Sequence, residues 1–340
     1  MSTLRQDPTT RQWAILATRR GDRPHRDVVV PRPVLPEFDP GCPFCPGNED
    51  QTPPEIMRVP GDGWGVRVVP NMYAALSGDG TAVRSGEPMF REMPGIGSHE
   101  VVVETPRHDG RPDEMSVDDV ARVVWVWRER YRALIERPDI RAVVVFKNFG
   151  ALAGTSLTHS HSQIVATPVF LPRLLRRLDV ATRHYDEYGE CVYDQMIEAE
   201  TKAEVRIVDE QGGFVAFEPW AAQTPFETWI APTVHQGSFG DLDDEGIRGL
   251  AAILTRTLTA LRYACGDPDY NVVMYSAPTD GGHANAVFHW HLKLIPRLST
   301  QAGFEIGSGM AINTVAPEEA AQALRDALEH ARQASGSSPG

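Results

Sequence analysis

Two hydrophobic rhythms run through the chain. Apolar residues recur three and four positions apart from Ser116 to Ile135 and again from Asp241 to Ala264, the spacing that lines one face of an α-helix. Asp118 and Asp119 sit in the first turn of the former, and Gly266 follows the latter, as helix start and stop signals require. A third helical pattern runs from about Pro317 to Arg332, ahead of a Ser/Gly-rich end, 335–340, expected to be a flexible tail. Runs rich in Val, Ile, Phe and Trp at 65–69, 100–104, 141–147, 204–208, 214–218, 226–231, 271–275 and 287–295 predict strands, and a further apolar strand follows Gln163. Strands outnumber helices and arrive in neighbouring groups, so the pattern predicts an α+β fold with antiparallel sheet.

The order of polar features repeats. Cys42 and Cys45 in CPFC are followed by His108 and then by His159 in HSH; Cys191 and Asp194 in CVYD are followed by His235 and then by His289 in HWH. Each middle histidine also closes a similar phrase, VVVETPRH and ETWIAPTVH. Three matches in the same order argue for an internal duplication, with halves at 1–175 and 176–334 that meet between Pro168 and Glu190.

Composition narrows the chemistry. With 340 residues, of which 41% are hydrophobic, the chain can bury a normal core, and a formal net charge of −13 argues against nucleic acid or an anionic membrane as the main partner. An anionic ligand must therefore be held by local groups. The beginning, MSTLRQDPTT, lacks the apolar core of a signal peptide, and no later run is long and uncharged enough to span a bilayer, so a cytoplasmic location is expected. Four cysteines are too few for a disulfide scaffold in a chain of this size.

Cys42, Cys45, His108 and His159 supply two thiolates and two imidazoles, the ligand set of a tetrahedral structural zinc site, with His99 the nearest rival to His108. Cys191, Asp194, His235 and His289 form a second, chemically allowed set, since carboxylate oxygen also binds zinc. In GTSLTHSHSQIV a metal-held His159 would fix the strand carrying His161, and imidazole is a competent nucleophile toward phosphorus. Gly154, Thr155, Ser156 and Thr158 offer hydroxyls and open N–H groups to phosphate oxygens, and Gln163 shares the strand face of His161 and can donate an amide hydrogen bond. Arg19, Arg20 and Arg23 suit a pyrophosphate, Asn71 a base or ribose, and Tyr73 the wall of a site.

The phrases LRQDPTTRQWAI, RRGDRP, CPFCPGNE, PNMYAAL, ETPRH, NFGALAGTSLTHSHSQ, PWAAQTPFETWIAP and FHWHLKLIP together resemble the galactose-1-phosphate uridylyltransferase family, a two-repeat branch of the histidine-triad superfamily. The resemblance implies two tandem histidine-triad-like repeats forming one compact unit. It also implies a nucleotidyltransferase in which His161 takes a nucleoside monophosphate from a sugar nucleotide and passes it, ping-pong, to a sugar 1-phosphate. It carries zinc to Cys42, Cys45, His108 and His159, substrate contacts to Arg20, Arg23, Asn71, Asn148, Gly154, Ser156 and Gln163, and homodimerisation to the whole chain. Ser160 stands where the uridylyltransferases usually have proline, Ser308 and Gly309 where they have a Tyr-Glu pair, and Met72 where a polar residue is common. These departures resemble the ADP-glucose phosphorylase relatives, in which AMP is transferred and inorganic phosphate is the acceptor. Asp194 replaces the second cysteine of those relatives' second metal set. A hydrolase, with water as acceptor, and a non-catalytic nucleotide-binding zinc protein are the readings from other classes.

Overall fold

The computed structural model describes residues 2–20, 32–60, 64–278 and 282–336; Arg23, one of the expected phosphate contacts, and positions 337–340 of the expected tail lie outside these residues. β1 (Thr3–Gln6) and β2 (Trp13–Leu16) open the chain as a hairpin. The first half then supplies β3 (Met57–Val59), β4 (Val66–Pro70), β5 (Ser98–Val103), α1 (Val117–Ile135), β6 (Ala142–Phe149) and β7 (His161–Thr167). Two helices, α2 (Pro172–Tyr188) and α3 (Val192–Ala203), lead into β8 (Ile207–Gln211), β9 (Phe214–Phe217), β10 (Thr228–Pro232), α4 (Asp244–Cys265), β11 (Tyr270–Tyr275), α5 (His283–Val287) and β12 (His291–Pro296). The chain closes with α6 (Gly303–Ser308), β13 (Ala311–Asn313), which pairs parallel to β2, and α7 (Pro317–Gly336). The last helix thus runs past Arg332 and two positions into the expected tail.

Ten strands make one antiparallel sheet in the order β3-β4-β5-β7-β6-β11-β12-β10-β9-β8. Read from either edge, the order is the same meander, helix and returning hairpin, and the two copies meet at the β6–β11 pair, with Phe149 opposite Tyr270 and Phe146 opposite Val273. The α+β class and the tandem repeat are borne out, with the two expected sheets fused into one. The helix periods in the sequence match α1 and α4 and extend to their caps. Ser116 accepts the Asp119 N–H, Asp243 accepts the Gly246 N–H, and Gly266 closes α4 in the left-handed region.

Strand alternation sends the sheet's side chains to two faces. On one face Val68, Val102, Val145, Ile164, Val272 and Leu292 pack with α1, α4 and α7 into a single core shared by both halves. Burying each such side chain contributes about 1.5–3 kcal/mol. The other face is covered unequally. Over the second half, α2 and α3 lie on Val215, Phe217, Trp229 and Ala231; over the outer first half, the CPFC loop lies on Val69, Val101 and Val103. Between the two covers Val144, Phe146, Asn148, Gln163 and Val165 stay half-exposed, forming a cleft with an apolar floor.

The β8–β9 turn is Gly212-Gly213, both with positive φ, as a two-residue hairpin favours. It presses on α4 so closely that a Cβ on Gly249 would lie 2.0 Å from the Gly212 carbonyl oxygen. Gly249→Ala is therefore expected to destabilise the protein by about 1–3 kcal/mol. A thermal unfolding scan checks this, and an unchanged midpoint would contradict the contact.

Candidate active site

The cleft is entered by the loop that joins β6 to β7. Gly150, at φ +87°, lets the chain turn against Asp269 of the second half, whose carboxylate a Cβ would meet at 2.0 Å. That carboxylate accepts the Leu152 N–H at 2.6 Å and is held on its other oxygen by Arg32. Gly154 makes a second positive-φ turn at +88°, after which Ser156 and Thr158 are exposed and His159 returns to the interior. Leading into β7, the chain then presents His161 on the cleft face, 7% exposed.

The ring of His161 is oriented by one bond. Its Nδ1 lies 2.9 Å from the His159 carbonyl oxygen, and a carbonyl only accepts, so Nδ1 carries the proton and Nε2 keeps a free lone pair. Burial, opposed by that carbonyl and assisted by the Lys147 charge, holds the ring's pKa below its ordinary value. The imidazole is thus neutral and nucleophilic.

Cys42, Cys45, His108 and His159 converge, all buried, with ligand atoms within 4.8 Å of one another. The His159 Nε2–H donates to the Thr105 carbonyl at 2.7 Å, so Nδ1 is the lone pair facing the sulfurs, 3.6 Å from Cys42 Sγ and 3.7 Å from Cys45 Sγ. His108 likewise turns Nδ1 toward Cys45 Sγ, at 3.6 Å. Burial pushes the Cys42 thiol up to about 11 and the His159 ring down to about 4. Two thiols and two imidazole nitrogens around one point are a donor set that fits a soft divalent cation, which would be bound by the thiolates. Of the two rivals for the third position, His108 is the one in the cluster; His99 lies elsewhere, with Nε2 2.7 Å from Gln163 Oε1.

Beneath His161, on the helix-covered face, lies a buried ion pair that the sequence pattern did not disclose. Lys147 Nζ donates to Glu104 Oε2 at 2.6 Å, to Ser160 Oγ at 2.9 Å and to the His161 carbonyl at 3.1 Å, and Ser160 Oγ donates to the same carboxylate at 2.7 Å. Burial works to raise the Glu104 carboxyl, but Lys147 and the serine hydroxyls outweigh it and hold the pKa down. Ser160, the departure from proline, thus has a defined partner on each side.

Of the other expected contacts, Asn71, Asn148 and Gln163 line the cleft, and Gly154 and Ser156 belong to its exposed loop. Arg20 is exposed at the end of a short 3-10 turn, Thr18–Arg20.

The second-half cluster is more open. Cys191, Asp194 and His235 have ligand atoms within 4.8 Å, and His289 Nδ1 reaches the other Asp194 oxygen at 2.6 Å. His235 faces acceptors on both nitrogens, Asp194 Oδ2 at 2.7 Å and the Asn285 carbonyl at 2.8 Å, so either a proton or a metal ion must stand between ring and carboxylate. In the metal-free state the Asp194 hydrogen bond, with one from Cys191, raises His235 to about 10. His291 occupies the place that His161 has in the first half, but it is 1% exposed and stacked against Trp229, with ring centroids 4.3 Å apart. Among the described residues it is enclosed by the rings of Tyr193, Trp229, Tyr275 and Phe288.

Residues 1–170 match the N-terminal domain of galactose-1-phosphate uridyl transferase. The chain is 36% identical to an ADP-glucose phosphorylase of Arabidopsis thaliana over 95% of its own length and 92% of the relative's. The chain belongs to the galactose-1-phosphate uridylyltransferase family. A galactose-1-phosphate uridylyltransferase of Thermotoga maritima is 29% identical, over 96% of this chain and 98% of that one. Among solved structures, the Arabidopsis thaliana ADP-glucose phosphorylase with bound ADP-glucose superposes with a TM-score of 0.83 at 33% identity, covering 96% of this chain and 98% of that one. A uridylyltransferase superposes at 0.76 with 29% identity, covering 97% and 99%. Like its relatives, this family member is a nucleotidyltransferase. Among the described residues no helix is long and apolar enough to cross a membrane.

Cys45→Ser is expected to lower metal uptake and the unfolding midpoint together, because a cation held by the cluster would add its binding energy to folding. Elemental analysis alongside a thermal scan checks both. Lys147→Met should cost about 3–5 kcal/mol in denaturant unfolding, since it strands the Glu104 carboxylate in the interior. Lys147→Met combined with Glu104→Leu should recover much of that loss; a double variant no more stable than the single would count against the buried pair.

Proposed function

We propose that the protein moves a nucleoside monophosphate between phosphates by double displacement through His161. The observation that carries this reading is the fixed tautomer: the His159 carbonyl holds the Nδ1 proton and leaves the Nε2 lone pair on the cleft side. In the first step Nε2 forms a bond to the α-phosphorus of a sugar nucleotide. The bond from that phosphorus to the bridging oxygen breaks, and the sugar 1-phosphate leaves with the electron pair. No proton need leave Nδ1, and the carbonyl steadies the positive charge on the substituted ring. An acceptor phosphate oxygen then attacks the same phosphorus and displaces His161. Donors from Ser156, the Gly154 turn and Gln163 offset charge on the non-bridging oxygens, and Asn71, Asn148, Arg20 and Arg23 complete the contacts to the nucleotide. A zinc ion on Cys42, Cys45, His108 and His159 would lock the strand that carries the nucleophile; a second metal on Cys191, Asp194, His235 and His289 would tie α3 to β12.

The donor and acceptor expected first from the family resemblance are UDP-glucose and a hexose 1-phosphate. The pair ADP-glucose and inorganic phosphate is favoured by the higher identity, 36% against 29%, and the higher TM-score, 0.83 against 0.76, to the phosphorylase. Repeat units at 1–175 and 176–334 are supported by the mirrored strand order. A homodimer remains part of this proposal on resemblance alone.

Intact-protein mass spectrometry after brief incubation with UDP-glucose or ADP-glucose tests the mechanism and the base together. A UMP-sized or AMP-sized adduct is expected, lost in His161→Gly along with about 10³-fold or more of the transfer rate. An adduct that survives His161→Gly would move the nucleophile elsewhere, and transfer to water alone would make the protein a hydrolase.

A further inference from the structure

We infer that Phe44 is a positioning residue that holds the His161 ring in its reactive orientation, so that the turn bearing two of the cluster sulfurs also buttresses the nucleophile; this rests on the role given to His161 in the proposed function. A hydrogen bond from Nδ1 to the His159 carbonyl fixes one edge of that ring. The outer torsion of a histidine is broad, so one bond sets an edge and still lets the plane tilt. A second ring opposes the tilt. The Phe44 centroid lies 5.5 Å from that of His161, with the planes at 62°, and 6.0 Å from that of His159, at 87°. Edge contacts of this kind are directional, because the positive rim of one ring meets the negative face of the other. Phe44 has little room to retreat: it is buried in a cluster with Val69, Val101 and Val103, the last of which stands opposite His161 in the β5–β7 ladder.

The backbone beneath Phe44 is held as well. CPFC forms a turn closed by the Cys45 N–H on the Cys42 carbonyl at 3.2 Å, with Pro43 at the second position, where its fixed φ suits a turn, and Phe44 at the third. The N–H groups of Phe44 and Cys45 also point at the Cys42 sulfur. The ring that meets the nucleophile thus leaves the chain between two cluster sulfurs. The second half repeats the contact on a different backbone. Tyr193 follows Cys191 by two positions, as Phe44 follows Cys42, but there the chain is in the first turn of α3. Its ring lies 5.5 Å from that of His291, the counterpart of His161. Trp229, Tyr275 and Phe288 add their rings around His291, whereas among the described residues Phe44 is the one phenyl, phenol or indole ring against His161. Aromatic restraint of the nucleophile therefore rests on this side chain.

The test uses the full-length protein, with kcat and KM measured per folded molecule for ADP-glucose plus phosphate and for UDP-glucose plus galactose 1-phosphate, and metal content determined alongside. Phe44→Leu, which keeps apolar bulk but no ring, is expected to lower kcat by about 10-fold or more while KM and metal content stay near wild type. Phe44→Tyr keeps the ring, with the residue that the second half uses, so its kcat should stay within about 3-fold of wild type. Trp64→Leu disturbs the same cluster without touching a ring contact of His161 among the described residues, and should leave kcat near wild type. Ring 15N spectra of His161 give a readout that needs no turnover: one Nδ1–H tautomer in wild type and Phe44→Tyr, and a mixture in Phe44→Leu. Wild-type kcat or an unchanged 15N spectrum in Phe44→Leu would overturn the inference. So would an equal loss in Trp64→Leu, a loss that tracks metal content, or KM changes that differ between the two sugar nucleotides, which would make Phe44 a substrate contact instead. A wild-type protein that never forms the His161 adduct would remove the proposed function and this role with it; a normal adduct with full kcat in Phe44→Leu would remove this role alone.

Discussion

The structure depends first on the antiparallel pairing of β6 with β11. That ladder turns two five-stranded halves into a single ten-stranded sheet, and it also builds the cleft. Because Asn148 lies opposite Asn271, the amide on the first half is oriented by a residue of the second. Because Asp269 stands one position before β11, its carboxylate reaches back to hold Leu152 and fills the space beside Gly150. The loop that leads to His161 thus comes from one repeat and is held in shape by the other.

Duplication supplied two equivalent backbones, and side-chain volume decided which kept a cleft. Over the first half the sheet centre carries valines, Phe146 and amides under open solvent; over the second, Trp229 and Tyr275 stack on His291 and α2 and α3 seal the surface. His161 and His291 each hold Nδ1 on the carbonyl two residues back, at 2.9 Å and 3.0 Å. The same ring orientation is therefore present twice, and the two rings differ in their surroundings: His161 is 7% exposed beside the cleft, His291 1% exposed between aromatic rings. Burial of His291 lowers its pKa well below the ordinary value, so the second ring is neutral as well as sealed.

Much of this was legible in the residue pattern, and the remainder shows what such patterns omit. The periods of α1 and α4, the acidic first turn of α1 and the closing Gly266 were readable because amphipathic helices announce themselves locally. So was the first metal set, because a CxxC turn constrains two ligands in advance. Helix α2 was passed over although Pro172 at its start and Gly189 at its end mark it, because Arg173, Arg176 and Arg177 mask its apolar stripe at Leu174, Leu178 and Ala181. β1, β3 and β13 span only three or four residues and carry too little period to register. Of the run 287–295 that reads as strand, Val287 closes α5 and 288–290 are irregular, where His289 meets Asp194 before β12 begins. The Lys147–Glu104 pair and the link from His99 to Gln163 join positions 43 and 64 residues apart, and no local signal announces such a meeting.

The central ladder also has a consequence for the nascent chain. β6, with the sequence AVVVFKNF, leaves the ribosome about 120 residues before β11 can pair with it. At about 5–20 residues per second its free edge waits on the order of ten seconds, apolar on one face and open to strands of other chains. The first half must therefore be shielded while the second is still being made, so the rate of synthesis, and not only the stability of the finished sheet, bears on how much active protein a cell obtains.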